Sequence, residues 1–407
     1  MVFTVNMENL KDIIDEEEIK DSRKKIDKFE NLFDIMKGFF KKRKIILYGG
    51  TAMNMHLPKE HKIYTDDDFP DFDCFSCCPK KDAEDLSNLF AKNNYKYIEI
   101  KYAMHDGTYK IYVDFEPICD ITKISKKNHA ILFKQASLID GYYVTSVRHL
   151  KSASYLELAI PKSSLFRWQK VVQRIKLMEN EFRNNKSSFS MKSLQFISFN
   201  DKVNNCVKDM TSYAIENNLV LAGNTAIQYY LSDDNKVETE PTSFMLTNSS
   251  GVFQCLSDDM KNTVDKLKKY VEKQNFKNIQ VKEEHHDFIT PYTKIYVTYF
   301  DDKYTFERIK LNLCTVYSAN EHCYSYVKES DKRIVSIFFL LHIMYYSLYV
   351  KEEDIDRVNI KNIINTLIKK INVNHFKTEC YGTEVSMNEI RRKRWDEKKP
   401  VVLLRMN

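Results

Sequence analysis

Two short stretches carry residues whose types and spacing suit phosphoryl-group chemistry. The first, Tyr48-Gly49-Gly50-Thr51-Ala52, follows the apolar run Ile45-Ile46-Leu47. The second is Asp71-Phe72-Asp73-Cys74-Phe75-Ser76. Alternation has period two, so Asp71 and Asp73 face one side of a strand and Phe72 the other. Neighbouring carboxylates repel unless a cation lies between them, and hard oxygen ligands suit Mg²⁺. A glycine turn that opens a helix presents backbone N–H groups to phosphates. Gly49, Gly50 and Thr51 are therefore candidates for a triphosphate, beside metal ligands Asp71 and Asp73. The chemistry expected is nucleotidyl transfer with two Mg²⁺ or Mn²⁺ ions about 4 Å apart. A third carboxylate is needed from a neighbouring strand, and Asp114 and Asp120 are the candidates. Asp120 is favoured because it interrupts an otherwise apolar strand, where an acid without a task is costly.

Elements must hold these residues in place. Residues 8–42 have helical apolar spacing, with a break expected near Asp21, and read as a layer over the following sheet. Strands are expected over 44–48, 71–76, 97–104, 109–115 and 118–122, with helices over 50–57 and 82–92. Helical patterns follow from Ser146, and again from a cap at Ser164 through Phe166, Trp168, Val171 and Ile175. On that second helix Lys170, Gln173 and Arg174 share one face, and Lys170 is a candidate cation for the triphosphate.

The second half repeats the first. Leu221-Ala222-Gly223-Asn224-Thr225-Ala226 falls on Leu47-Tyr48-Gly49-Gly50-Thr51-Ala52, and Lys294-Ile295-Tyr296-Val297 repeats Lys110-Ile111-Tyr112-Val113. The copies differ where the chemistry would lie. Asn224 replaces Gly50, and Ser243-Phe244-Met245 is expected to stand for Asp71-Phe72-Asp73. With no paired acids, the second copy is expected to be catalytically silent. The expected fold is α+β: two tandem nucleotidyltransferase-like domains, each a mixed sheet flanked by helices, the second degenerate. The boundaries read as a helical segment 1–43, a catalytic domain 44–186, a degenerate domain 187–378 and a basic tail 379–407.

Composition sets the remaining bounds. The chain has 407 residues, 43% apolar and 29% charged, with a net charge of +6, which permits an RNA partner without requiring one. The stretch Met1–Lys20 is acidic and amphipathic rather than basic and then apolar, so the nine cysteines are expected as free thiols in a reducing compartment. The apolar run Ile334–Val350 reads as a buried helix and not a membrane span. Asp66-Asp67-Asp68 reads as a solvated loop, and Glu283-Glu284-His285-His286 as a polar turn. The cluster Cys74, Cys77, Cys78 has poor spacing for zinc. Arg391-Arg392-Lys393-Arg394-Trp395 suits contact with RNA.

The ordered set of motifs resembles a known family. Gly49-Gly50-Thr51-Ala52 with Asp71-Phe72-Asp73-Cys74-Phe75-Ser76 is similar to the nucleotidyltransferase signature of the DNA polymerase beta superfamily. With His105-Asp106-Gly107-Thr108-Tyr109, Ile118-Cys119-Asp120-Ile121-Thr122, Tyr155-Leu156-Glu157-Leu158 and Arg167-Trp168, it resembles the poly(A) polymerase catalytic subunits of large nucleocytoplasmic DNA viruses. That resemblance implies template-independent addition of AMP from ATP to the 3′ end of viral mRNA. It implies Asp71, Asp73 and Asp120 as catalytic metal ligands, and Gly49, Gly50, Thr51 and Lys170 at the triphosphate. It also implies a setting in the host cytoplasm (viral factory or virion) and, as partner, either a second copy of the chain or a viral processivity subunit, with no membrane. The rival expectations are a terminal RNA nucleotidyltransferase of other base specificity and a non-catalytic RNA-binding subunit.

Overall fold

The computed structural model describes residues 7–103, 106–183, 201–232, 251–300, 308–350, 357–383 and 402–406. The chain divides into two compact units, Met1–Leu150 with Arg391–Asn407, and Lys151–Ile390. The break expected at 186/187 and the basic stretch 391–395 fall outside the described residues.

The first unit begins with α1 (Met7–Arg43), one continuous helix without the break expected near Asp21. Its buried stripe is Phe29, Leu32, Met36 and Phe40, at the spacing that keeps side chains on one helical face. Phe33 lies 5.7 Å from both Phe69 and Phe72, so α1 covers the Phe72 face of the sheet. The earlier turns bury nothing comparable: Leu10, Ile13, Ile14 and Ile19 are exposed. There follow β1 (Ile46–Tyr48), α2 (Gly49–His56), β2 (Phe72–Ser76), α3 (Pro79–Lys92), β3 (Ile98–Tyr102), β4 (Thr108–Val113) and β5 (Glu116–Lys123). Helix α4 (Lys126–Gln135), the hairpin β6 (Ser137–Ile139) and β7 (Tyr142–Val144), and α5 (Val147–Ala159) complete the succession. The two compact units divide within α5. A strand near the chain end, Val402–Met406, adds to β3, giving an eight-stranded mixed sheet that continues β4-β5-β2-β1-β7-β6. β2 runs parallel to β5 and β1 parallel to β7; the other pairs are antiparallel.

The second unit contains α6 (Pro161–Ser164), α7 (Trp168–Glu181), α8 (Asp201–Glu216), β8 (Val220–Leu221), α9 (Gly223–Leu231), β9 (Phe253–Ser257) and α10 (Met260–Lys273). Three long strands follow, β10 (Lys277–His286), β11 (Ile289–Phe300) and β12 (Arg308–Ser318). The hairpin β13 (Cys323–Glu329) and β14 (Lys332–Val335), α11 (Ile337–Tyr349), α12 (Arg357–Lys370) and β15 (Cys380–Gly382) end it. Its sheet order, β10-β11-β12-β9-β8-β14-β13, matches β3-β4-β5-β2-β1-β7-β6 strand for strand. The extra strand joins the opposite edge, where β15 pairs with β13. The repeat is thus a repeat of topology.

Two details depart from the sequence expectations. Cys323 and Cys380 form a disulfide with Cα atoms 5.3 Å apart, so the cysteines are not all free thiols. They are 57 residues apart in sequence, and only the β13–β15 pairing brings them together. Arg174, expected on an exposed face with Lys170 and Gln173, is buried, where its charge counteracts the rise that burial imposes on Glu157.

The apolar run near 340 is the buried helix α11, and among the described residues no helix is long and apolar enough to cross a membrane. Its polar residues are accommodated inside the second unit. Glu179 accepts from Lys151 at 2.7 Å and from the Tyr345 hydroxyl at 2.7 Å. His342 Nδ1 lies 3.0 Å from the Ser152 hydroxyl. Burial pulls the His342 pKa from 6.5 down to about 4. The unfolded chain therefore takes up a proton below the usual histidine value that the folded unit refuses until about pH 4. Stability should be complete above pH 6.5 and decline as pH falls toward 4, by roughly 3 kcal/mol from this group. Urea unfolding across that window checks this, and His342→Leu should flatten the slope.

Candidate active site

Strand register builds the site. Tyr48 of β1 pairs with Asp73 of β2, Asp73 with Asp120 of β5, and Asp120 with Lys110 of β4. Directly opposed residues share a sheet face, so Lys110, Asp120, Asp73 and Tyr48 form one row across four neighbouring strands. Phe72 points the other way, toward α1. Asp71 immediately precedes β2 and is exposed, while Asp73 and Asp120 are half-buried. Asp120 is raised above the usual carboxylate range by burial, a rise opposed by Lys110 and reinforced by the negative charge of Asp71. Asp71, Asp73 and Asp120 also all act on the buried Cys74 thiol, which burial itself pushes up most.

Asp114 and Asp120 occupy different surroundings. Asp114 sits in the β4–β5 turn with φ of 48° and pairs with Lys28 at 2.9 Å. Asp120 is the direct neighbour of Asp73.

The glycine turn lies against the same acids. Gly49 has φ of +74°, and a Cβ there would overlap Asp73 Oδ2. Only glycine suits both demands. Tyr48, the N-cap of α2, makes no side-chain cap hydrogen bond, so the first-turn N–H groups have no such cap. Gly50 is buried. Thr51 donates its hydroxyl to the Asp71 carbonyl at 2.6 Å, which ties the turn to the start of β2. Its side chain is thereby engaged. Lys170 is exposed on α7 in the second unit and is not among the residues that the first unit gathers.

Members of the other acidic clusters are engaged by neighbouring groups. Asp67 binds Arg23 through two contacts of 2.7 and 2.8 Å, and Asp68 accepts from the Thr65 backbone N–H. Cys74 and Cys119 are buried and Cys78 is exposed. His285 pairs with Glu283 beside the β10–β11 turn. Among the described residues no three His, Cys, Asp or Glu side chains converge in ligand geometry. Asp120 instead directs Oδ1 to Lys110 Nζ, 3.2 Å away.

The second unit shows the same positions with different chemistry. Residues 243–245 lie outside the described residues. The strand occupying the place of β2 is β9, Phe253-Gln254-Cys255-Leu256-Ser257. Gln254 stands where Asp73 does, paired with Thr315, which stands where Asp120 does, and Thr315 pairs with Lys294. Gly223 repeats Gly49: it has φ of +57°, and a Cβ would overlap Gln254. Asn224, in place of Gly50, reaches the Val252 carbonyl at 3.4 Å. The row keeps its lysine and loses both acids.

Residues 34–164, which contain the whole acidic row, match the family model of the poly(A) polymerase catalytic subunit. A protein described as a poly(A) polymerase catalytic subunit, from Acanthamoeba polyphaga mimivirus, is 35% identical over 127 residues. That alignment spans 30% of this chain and 22% of the mimivirus protein. Over these residues the chain is similar to the poly(A) polymerase catalytic subunits. A protein of the same description from African swine fever virus (isolate Pig/Kenya/KEN-50/1950) is 29% identical over 160 residues, covering 38% of this chain and 33% of its own. The chain thus spans between about a fifth and a third of these curated relatives. The crystal structure of the Megavirus polyadenylate synthase shares the fold with a TM-score of 0.79 at 20% identity, over 99% of this chain and 86% of that one.

Sequence reasoning missed Lys110 as part of the site. The one available signal was the repeated Lys-Ile-Tyr-Val segment, which marked a shared position without showing what it faced.

Gly49→Ala tests the packing of the turn on Asp73. The added methyl must displace the carboxylate, and φ is left-handed. Nucleotide transfer should fall about a hundredfold, with a stability loss of about 1–2 kcal/mol, measured by RNA tailing and by urea unfolding.

Proposed function

We propose that this chain is a template-independent poly(A) polymerase that transfers AMP from ATP to the 3′ hydroxyl of viral mRNA. The observation that carries this reading is the register pairing of Asp73 with Asp120 beside Gly49, inside the family-matched segment. The likeness to viral poly(A) polymerase subunits and to a polyadenylate synthase supports the choice of ATP and RNA as substrates.

The residues fit divalent ions by the chemistry of the donor set. Asp71, Asp73 and Asp120 supply hard oxygen donors on one side of the sheet, and a cation already sits on Asp120 in the form of Lys110. Two Mg²⁺ or Mn²⁺ ions held by these carboxylates would supply charge neutralisation and activation of the attacking hydroxyl. The chain's own groups perform the rest. The uncapped N-terminus of α2, from Gly49 to Thr51, presents N–H groups to the triphosphate. Gly49 lets that backbone approach Asp73 without an intervening side chain. Thr51 fixes the turn to Asp71 through its hydroxyl. In the transfer, the bond from O3′ to the α-phosphorus forms as the α–β phosphoanhydride bond breaks, pyrophosphate leaves with that electron pair, and the hydroxyl proton passes to solvent.

The second unit binds no catalytic ion in this reading, because Gln254 and Thr315 are neutral. The domain boundaries follow the repeat: a helical segment 1–43, a catalytic domain 44–186, a degenerate domain 187–378 and a tail 379–407. The protein acts in the host cytoplasm, in the viral factory or virion, with a second copy or a processivity subunit as partner.

Incubating the purified chain with labelled RNA and each NTP in turn tests the reading. ATP should be strongly preferred, and Asp73→Asn should reduce tailing a hundredfold or more, on the order of losing one transition-state electrostatic contact. Preference for UTP, or full activity in Asp71→Ala, would sink it.

A further inference from the structure

Lys110 is the charged member of the row to which neither the motifs nor the proposed chemistry assigns a task. Its Nζ lies 3.2 Å from Asp120 Oδ1, and its side chain is 29% exposed. The contact runs directly across neighbouring strands. It links a flexible, compact cation to the carboxylate that completes the ligand set. Asp71, Asp73 and Asp120 bring three negative charges together, and Lys110 offsets one of them in the absence of a metal ion.

The second unit serves as an internal comparison. Lys294 occupies the position of Lys110, opposite Thr315. It is buried, with Nζ 5.4 Å from the Tyr292 ring centroid. The lysine therefore belongs to the repeated fold; the residue directly opposite it is Asp120 in the first unit and Thr315 in the second. The same side chain has become part of a site through its neighbour.

We propose that Lys110 is a positioning residue that competes with the divalent ion for Asp120. It engages the Asp120 carboxylate from the neighbouring strand, at the oxygen that an ion would also claim. Entry of the ion requires Asp120 to exchange the ammonium for the metal, and the partly exposed lysine stem has room to swing aside. Lys110 thus sets how tightly the site takes its ion and keeps the acids in register until it arrives. This inference rests on the assignment of Asp71, Asp73 and Asp120 as ligands under the proposed function.

The test is direct binding of Mn²⁺ to the full chain without nucleotide, read by the electron paramagnetic resonance signal of the unbound ion. Lys110→Met keeps the stem and removes the charge. Its Mn²⁺ affinity should rise about tenfold, as expected for removing a like charge at this separation in a partly solvated site. Lys110→Arg should stay within about twofold of wild type. In an Asp120→Asn background, Lys110→Met should produce no further shift. Unchanged or weaker Mn²⁺ binding in Lys110→Met would overturn the proposal, as would a tenfold shift that survives Asp120→Asn. Lys110→Gln decides in the same way should the methionine variant fail to fold, as judged by circular dichroism. Tailing of RNA with ATP, measured separately on the wild-type chain, tests the polymerase reading, and its failure would leave the Mn²⁺ comparison intact.

Discussion

Like charges held side by side are the constraint around which the first unit is arranged. Asp73 and Asp120 are direct neighbours on parallel strands. Their repulsion is costly unless a cation attends them. In this structure Lys110 fills that role from the next strand. On the other side Gly49 leaves room for the Asp73 carboxylate, since a side chain there would collide with it. The turn, the two central strands and the β4–β5 hairpin thus answer to one electrostatic problem. Helix α1 closes the opposite face through Phe29, Phe33 and Phe40, so the acids stand on a rigid, well-packed sheet.

The repeat separates what the fold requires from what the chemistry requires. Both sheets keep the same order, and both keep a left-handed glycine beside the central strand. Even the start of the following helix is alike. Ser76 binds Asp82 in the first unit, and Ser257 binds Thr263 at 2.8 Å in the second. These shared features serve turn geometry and helix entry. The acids do not recur: Gln254 and Thr315 keep the positions and drop the charge. Lys294, at the position of Lys110, is buried with its ammonium over the Tyr292 ring.

Much of the first unit was legible in the sequence because its signals are local. The glycine pair after an apolar run marked β1 and α2, and the Asp-Phe-Asp alternation marked β2. The short hairpin β6–β7 and helix α4 carried weaker patterns and were not foreseen. The expectation that Ser243-Phe244-Met245 stands for the acidic strand rests on local likeness around Phe244 and Phe72. The true counterpart, β9, begins at Phe253. Local likeness does not count the residues in a connecting loop. Arg174 shows a second limit, since helical spacing groups residues on a face without saying what packs against it.

The sequence by itself determined the residue types at the site: two glycines, two alternating acids, and a second copy without them. Those are properties of neighbours along the chain, and period and composition express them. Tertiary structure decided which residues meet. It placed Asp120 beside Asp73 and Asp114 beside Lys28, set Gln254 in the place of Asp73, joined Cys323 to Cys380, and put Lys110 on Asp120. The physical reason is that strand register is fixed by hydrogen bonds and core packing between segments distant in sequence. No spacing along the chain encodes that partner.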